Sequence, residues 1–419
     1  MNITRYTLAN GLRVVHDYEP RTAMAAVNVL YDVGARDESR SLTGIAHLFE
    51  HLMFGGSANE PDFNGAIERA GGVSNAWTSP DFTNFYELMP AQNVEAALRV
   101  ESDRMLALSF SPDVLRVQRS VVVEEFRQTV LNRPYGRVMH ELRDMVYAPS
   151  HPYSWPVIGL TPEHIERVTD DDVRRWFYAH YAPNNAVLAV SGNVRPDELR
   201  RMVEKWFGDI PRRDIAPRSL PAVALRSGGN TWREITDRVP LPYVLLGFPM
   251  PARGEEGYTE CDILTDLLSA GRASRLRTRL TGRRPELIAD AEASIMGSEH
   301  TGLLMLDCQV VRDDRESILR AREGLLNEAT DLTIEEHISP RELERVLRRH
   351  ETRHAADSMS AVDNARRLAE AEMHGEDIDA ELRRRRAVTR AGLAAWARRI
   401  FIDSPMATLI VKPDEDGEA

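Results

Sequence analysis

The stretch from Thr43 to Gly56 constrains the fold of this chain most strongly, because an apolar run there carries two histidines and a carboxylate. Thr43 can cap a helix and the pair Gly55-Gly56 can end it, which predicts about three helical turns. His47 and His51 would then lie on one face, one turn apart, with Glu50 beside them. The sequence therefore predicts a polar cluster on an otherwise apolar helix.

Apolar residues occupy the other faces of this predicted helix, so we expect the helix to be largely buried. Buried polar groups need partners, and two histidines spaced i,i+4 offer two nitrogens to one zinc ion, with room for a third ligand and a water. The order His47-x-x-Glu50-His51 is H-x-x-E-H, the inverzincin pattern, in which Glu50 would be the general base on a zinc-bound water. The alternative is a helix whose two histidines are satisfied without a metal.

Composition narrows the class of protein. The chain has 419 residues, which predicts two to three domains, and its net charge of −12 without a basic aromatic cluster disfavours nucleic-acid binding. Cys261 and Cys308 form no C-x-x-C pair, so neither a cysteine zinc site nor a disulfide framework is expected. Because no signal peptide and no apolar run of about 18 residues is seen, we expect a cytoplasmic location without a membrane span.

The order of predicted elements repeats along the chain, which indicates an α+β protein with two duplicated domains, each a mostly antiparallel sheet packed with helices. The Pro-rich, polar stretch 213–230 is the predicted linker between residues 1–212 and 231–419. Single helices are predicted over 112–131 and 163–181, whereas no helix is predicted over 375–388.

Two further stretches could contribute to the site. Two strands flank the turn Ser79-Pro80-Asp81, and if the first strand lies at a sheet edge its backbone could pair with an extended peptide. An interior hairpin is the alternative. On the helix predicted over 112–131, Gln118 and Glu125 share one face two turns apart. A Glu-Glu pair is usually solvated, but the surrounding apolar residues favour one carboxylate that points inward.

With these residues in place, the chain resembles the pitrilysin–insulysin–mitochondrial processing peptidase family of inverzincins over nearly its whole length. Three stretches carry the resemblance. Leu8–Val14 is similar to the family's first hairpin, Val33–Glu38 to the turn before the zinc helix, and Gly44–Phe54 to the core motif. The resemblance implies a half-clamshell of two related domains and a zinc-dependent endopeptidase with one zinc ion per chain.

The resemblance also implies roles for individual residues. The family takes its third zinc ligand from the last glutamate of an E-R-x-x-x-x-x-E helix, which corresponds to Glu125 here. Gln118 replaces the first glutamate of that pattern, and an amide there can still support the site by hydrogen bonding. Asn75 and Ala76 match the strand that contacts the backbone of the substrate, which we expect to be an unstructured peptide.

One departure from the family concerns the second half of the chain. Family members carry an Arg and a Tyr, seven positions apart, that bind the substrate carbonyl. The matching positions here are Gly282 and Ala289. Some members work as two chains, one with the zinc site and one with that pair. The resemblance therefore implies a zinc-bearing subunit that works with a second family subunit, in a homodimer or a heterodimer.

His350-Glu351-Thr-Arg-His354 fits the ordinary zincin pattern H-E-x-x-H. Arginines surround it, and positive charge opposes a cation, so we interpret it as a charged helix face. Three classes of function stay open: a zinc endopeptidase, a non-catalytic scaffold subunit of a larger complex, and an unrelated metal-binding protein. The intact H-x-x-E-H pattern argues against the scaffold.

Overall fold

The computed structural model describes residues 3–221, 224–226 and 228–414. Its strands, β1 to β11 in chain order, are Ile3–Thr7, Arg13–Tyr18, Met24–Tyr31, Val73–Thr78, Thr83–Pro90, Ala186–Gly192, Thr231–Asp237, Tyr243–Met250, Ile288–Met296, Gly302–Val310 and Ala407–Pro413. Its α-helices, α1 to α14, are Ile45–Leu52, Phe63–Arg69, Val94–Leu106, Pro112–Phe126, Val138–Val146, Pro162–Glu166, Asp170–His180, Pro196–Phe207, Tyr258–Ser269, Arg315–Asp331, Pro340–Asp357, Ala361–His374, Ala380–Ala387 and Arg390–Arg398.

These elements form two compact units. The first contains the described residues up to Phe126 together with Trp155–Leu220 and His354–Ala380. The second contains Arg127–Ser154, the described residues between Pro221 and Arg353, and those from Glu381 onward. Each unit has one sheet with helices packed on it, so the α+β fold with two sheet-and-helix halves is confirmed.

The first unit is built on a six-stranded sheet of order β1-β2-β6-β3-β5-β4, in which only β2 and β6 pair in parallel. Alternation along β3 divides its apolar side chains between two faces. Val27 and Val29 join the main core with α1, α3 and α8, whereas Ala26 and Leu30 face α12 on the other side. Strand β4 forms one edge of the sheet.

Helix α12 reaches this sheet from late in the chain. The buried Asn364 side chain donates hydrogen bonds to Asp17 Oδ2 at 2.8 Å and Ser191 Oγ at 3.0 Å, and Leu368 packs beside it. Residues 354–380 therefore belong to the first unit, although they follow the predicted linker. The division into 1–212 and 231–419 stays a prediction, and residues 222, 223 and 227 of that linker lie outside the described residues.

The second unit is built on a five-stranded sheet of order β7-β11-β8-β10-β9, with β7 and β11 parallel and the other pairs antiparallel. One face packs on α9, α10 and α14 around Leu246 and Leu306. The other face packs Leu245 and Leu409 against Leu142 of α5. Helix α5 precedes the predicted linker, yet it lies with this sheet.

Two predicted helices differ in the structure, and one helix was not predicted. The helix expected over 163–181 is divided into α6 and α7, because Thr169 accepts the Asp172 N–H and so begins a new helix. The helix expected over 112–131 is α-helical to Phe126 and continues as a π-helical turn. Helix α13 was not predicted. None of its residues is buried, so its sequence shows no periodic pattern of apolar residues from which a helix could be predicted.

None of the helices in the described part of the chain is long and apolar enough to cross a membrane. The expected cytoplasmic location stays a prediction.

Buried ionisable groups in the first unit link its stability to pH. His16 is fully buried on β2, and this burial lowers its pKa from 6.5 to about 4, outweighing the opposite effects of the Asp17 carboxylate and the Val194 backbone. The folded chain therefore keeps this imidazole neutral at pH values where the unfolded chain protonates it.

We expect this burial to make the free energy of unfolding fall as the pH drops from about 6.5 to about 4. The contribution of His16 is at most about 1.4 kcal/mol per pH unit. Urea unfolding of the wild-type chain and of His16→Leu at several pH values measures it. Leucine cannot titrate, so the variant should show a shallower decline, and equal slopes for both chains would contradict the assignment.

Candidate metal and catalytic site

Helix α1 divides its residues between the core and an accessible surface. Its buried residues join the main core of the first unit: Ile45, Ala46, Leu48, Phe49 and Leu52. The side chains of His47 and His51 are 14% and 25% exposed. The apolar periodicity of α1 therefore packs the helix on the sheet, as the sequence predicts, and the structure leaves both imidazoles partly exposed rather than fully buried.

The start of α1 differs from the prediction. Gly44 precedes the helix with a positive φ of 88°, and the buried Glu38 carboxylate accepts hydrogen bonds from Gly44 N and Ala46 N, each at 2.9 Å. Burial raises the pKa of Glu38 to about 8 against the effect of these two N–H groups. Thr43 does not cap α1, because its hydroxyl contacts His164 Nδ1 and accepts the Leu160 N–H. The helix ends at Leu52, so it is shorter than three turns.

Helix α4 brings a carboxylate to the two histidines. Glu125 Oε2 lies 3.8 Å from His47 Nε2 and 3.6 Å from His51 Nε2. The neighbouring Glu124 is exposed. Within the described ranges, these three residues are the only His, Cys, Asp or Glu group of three or more whose ligand atoms lie within 4.8 Å of one another.

The donor set fits zinc. Zinc bonds of about 2.0–2.2 Å at tetrahedral angles place neighbouring ligand atoms about 3.4 Å apart. The separations of 3.6 and 3.8 Å to Glu125 are close to that value, and two imidazoles with one carboxylate are typical zinc ligands. His47, His51 and Glu125 could therefore hold one zinc ion with a fourth position open.

The electrostatics of the three groups are consistent with metal binding. Burial lowers the pKa of His47 to about 4, so this imidazole is neutral at physiological pH. The Glu125 carboxylate, 3.6 Å from His51 Nε2, raises the pKa of His51, and the same contact lowers the pKa of Glu125. The Gln118 side chain also acts to raise the pKa of His51, which places this predicted supporting residue near the cluster.

Glu50 lies next to the cluster and has its own partner. Thr78 Oγ1, at the end of β4, donates a hydrogen bond to Glu50 Oε2 at 2.5 Å. Burial raises the pKa of Glu50, while Thr78 and His51 act in the opposite direction. Sequence reasoning missed Thr78 and Glu38 as parts of the site, although Glu38 ends the stretch Val33–Glu38 that resembles the family and Thr78 follows Asn75 and Ala76 on the same strand.

Asn75 and Ala76 lie on β4, which is an edge strand, so the interior alternative is wrong. Asn75 is exposed, and its Oδ1 accepts the Ala76 N–H at 2.8 Å. A peptide that pairs with the Ala76 N–H would have to displace this local hydrogen bond. The edge is available for strand addition, but one of its donors is occupied in this structure.

The second histidine pattern does not form a metal cluster. His350 Nε2 lies 2.5 Å from Asp266 Oδ2, and Arg385 Nη1 is 3.0 Å away from the same nitrogen. His354 instead contacts Asp379 at 3.1 Å and Arg367. Both histidines therefore take part in charged networks, as expected for a charged helix face.

Two sheets with helices and an H-x-x-E-H helix beside a glutamate define a zinc-peptidase-like protein. The model of the Insulinase (Peptidase family M16) family matches residues 13–151, and that of the Peptidase M16 inactive domain matches residues 167–349. The chain belongs to peptidase family M16.

Individual relatives agree with this assignment. The chain is 32% identical to the zinc protease PqqE of Helicobacter pylori over 66% of this chain and 63% of that protein. It is 27% identical to the mitochondrial-processing peptidase subunit beta of Caenorhabditis elegans, over 52% of this chain and 47% of the relative. The matched regions thus cover less than two thirds of either relative.

Solved structures show the same fold. A protease from Helicobacter pylori superposes with a TM-score of 0.88 at 26% identity, covering 98% of this chain and 99% of the other. A putative M16-like peptidase from Alicyclobacillus acidocaldarius has a TM-score of 0.82 at 18% identity, covering 99% of this chain and 98% of the other.

The geometry predicts which of two adjacent glutamates matters for the metal. Glu125→Ala removes a carboxylate that lies within 4 Å of both histidine nitrogens, so we expect zinc affinity to fall by at least about tenfold to a hundredfold. Glu124→Ala is the matched control, because its side chain is exposed, and it should bind zinc as the wild type does. Calorimetric zinc titration measures both, and equal losses in the two variants would contradict the assignment.

Proposed function

We propose that the chain is a zinc-dependent endopeptidase that hydrolyses peptide bonds of unstructured peptides, with Glu50 as general base. The observation that carries this proposal is the cluster of His47, His51 and Glu125 with Glu50 beside it. A scaffold has no use for a complete donor set with an adjacent base. Membership of a peptidase family and relatives named zinc proteases support the same function.

His47, His51 and Glu125 would hold the zinc ion. When bound, zinc would act as a Lewis acid that polarises the scissile carbonyl and makes a water more acidic. Gln118, whose side chain influences the pKa of His51, would help to orient that imidazole. Zinc ligands must be free of protons. The lowered pKa values of His47 and Glu125 favour that state, whereas zinc would have to displace the proton of His51, whose pKa is raised.

Glu50 would move the proton. Its carboxylate takes a proton from the attacking water, and the water oxygen forms the new bond to the peptide carbonyl carbon. When the C–N bond breaks, Glu50 returns the proton to the departing amine. One carboxylate thus acts first as base and then as acid, and the proton count balances over the reaction.

The substrate would bind as an added strand. An extended peptide can hydrogen-bond to the backbone of β4, with Asn75 and Ala76 as its contacts. Folded proteins have few free extended segments, so unstructured peptides are the substrates this mode selects. Because Asn75 Oδ1 occupies the Ala76 N–H, we infer that the Asn75 side chain turns away when the peptide pairs.

The proposed base has a matched control in the second histidine pattern. Glu50→Gln keeps the shape of the side chain but cannot accept the proton, so we expect turnover to fall by about 10²–10⁴-fold with zinc still bound. Glu351→Gln makes the same change in the H-E-x-x-H pattern and should leave turnover unchanged. Cleavage of a pool of unstructured peptides, followed by mass spectrometry, measures both. Unchanged turnover in Glu50→Gln would refute the mechanism.

The proposed peptidase would work as a zinc-bearing subunit with a partner, because Gly282 and Ala289 stand where family members carry the Arg and Tyr that bind the substrate carbonyl. A non-catalytic scaffold subunit is the alternative function. The relative in Caenorhabditis elegans is named as a subunit. We propose that the partner is a second family chain, either another copy or one that carries the pair.

The need for that partner is testable. We expect the purified zinc-loaded chain to cleave peptides slowly by itself, and at least about tenfold faster with a family chain that supplies the Arg and Tyr, because an oxyanion donor contributes about that much or more. Glu50→Gln with the same companion is the control and should stay inactive. Full activity of the chain alone, unaffected by the companion, would show that the pair is replaced or unnecessary.

A further inference from the structure

A hydrogen bond joins the edge strand of the first sheet to the helix that carries the metal cluster. Thr78 is the last residue of β4, and its hydroxyl donates to Glu50 Oε2 at 2.5 Å. The two residues are 28 positions apart, so no local turn brings them together. Their contact depends on how β4 and α1 are fixed to each other.

A turn at residues 35–38 fixes the end of β4. Ala35 N donates to Ser79 O at 3.2 Å and Arg36 N donates to Pro80 O at 2.8 Å. The buried Arg36 side chain also reaches Asp81 Oδ1 at 2.8 Å. Three hydrogen bonds therefore hold the hairpin turn that follows Thr78.

The same turn fixes the start of α1. Glu38 accepts the N–H groups of Gly44 and Ala46, and it is buried, so water does not compete for these bonds. Residues 35–38 therefore hydrogen-bond to both the β4–β5 hairpin and helix α1, and so fix the position of one relative to the other. In this arrangement Thr78 and Glu50 lie at hydrogen-bond distance.

A carboxylate on a flexible side chain is an inefficient base unless something orients it. Glutamate has three side-chain torsions, and ordering them during the reaction costs conformational entropy. The Thr78 hydroxyl donates to Oε2, so the other oxygen, Oε1, is the one that would accept a proton. Because Thr78 lies two residues from Ala76, the strand that would bind the peptide also holds the base.

We propose that Thr78 is a positioning residue, whose hydroxyl orients the Glu50 carboxylate toward the water it activates and ties that orientation to β4. The proposal rests on the proposed role of Glu50 as the base. It assigns Thr78 no contact with the metal or the reacting atoms, and it requires the hydroxyl rather than the size of the side chain.

Substitutions at Thr78 separate the hydroxyl from the shape. Thr78→Val keeps the size and removes the donor, so we expect kcat to fall about tenfold to a hundredfold, the range for losing one hydrogen bond to a charged group. KM and zinc affinity should change less than about twofold, since neither the strand backbone nor the ligands are altered. Thr78→Ser restores the donor and should recover kcat to within about threefold.

Thr83→Val is the matched control. Thr83 lies directly opposite Thr78 in the β4–β5 register, and its hydroxyl donates to Val33 O at 2.9 Å. The substitution removes a buried hydrogen bond from the same hairpin, so it should lower the unfolding midpoint but leave kcat unchanged. Unchanged kcat in Thr78→Val, or equal falls in kcat for both valine variants, would overturn the proposal.

Crystal structures of the zinc-loaded wild type, Thr78→Val and Thr78→Ser give a readout that does not depend on activity. We expect the Glu50 carboxylate to keep its position in the serine variant and to leave it in the valine variant. If Glu50 keeps the same position in Thr78→Val, the proposal is overturned, even if the chain is a peptidase. If the wild type cleaves no peptide, the proposed function fails, and the position of Glu50 alone decides whether Thr78 orients it.

Discussion

Capping of helix α1 by the buried Glu38 carboxylate is the interaction on which the candidate site depends. The helix must be buried to pack on the sheet, and a buried helix start leaves backbone N–H groups that need acceptors. The Glu38 side chain supplies two acceptor oxygens, one for each of two N–H groups. Glu38 stands in a turn that also holds the β4–β5 hairpin through Ala35 and Arg36. The position of the helix and that of the edge strand are thereby set by one short segment.

Burial also decides the protonation of the groups in the site. The His47 side chain is mostly buried and its pKa is lowered, whereas His51 lies 3.6 Å from the Glu125 carboxylate and its pKa is raised. A zinc ion would replace the proton of His51 as the positive partner of Glu125. The same low-dielectric setting raises the pKa of Glu50, and a base with a raised pKa accepts a proton more readily.

Much of the fold follows from local patterns. Two strand-rich regions separated by amphipathic helices predicted an α+β protein, and the family comparisons and both sheets agree. The errors lie where periodicity is weak. Helix α13 carries no buried residue, and the break between α6 and α7 depends on the Thr169 cap within a stretch that is otherwise helical. The placement of α12 on the first sheet depends on contacts of Asn364 with residues more than 170 positions away, which no local pattern encodes.

The sequence by itself determined the chemistry of the site: the spacing of His47, Glu50 and His51 places them on one face of a helix because an α-helix repeats every 3.6 residues. It also favoured an inward carboxylate on the helix of Glu125. The resemblance to the family already selected Glu125 over Glu124. Only the tertiary structure decided that Glu125 lies within 4 Å of both histidine nitrogens, that β4 is an edge strand, and that Thr78 touches Glu50. These outcomes depend on how strands pair and helices pack over long separations in the chain, and that packing is a property of the whole core.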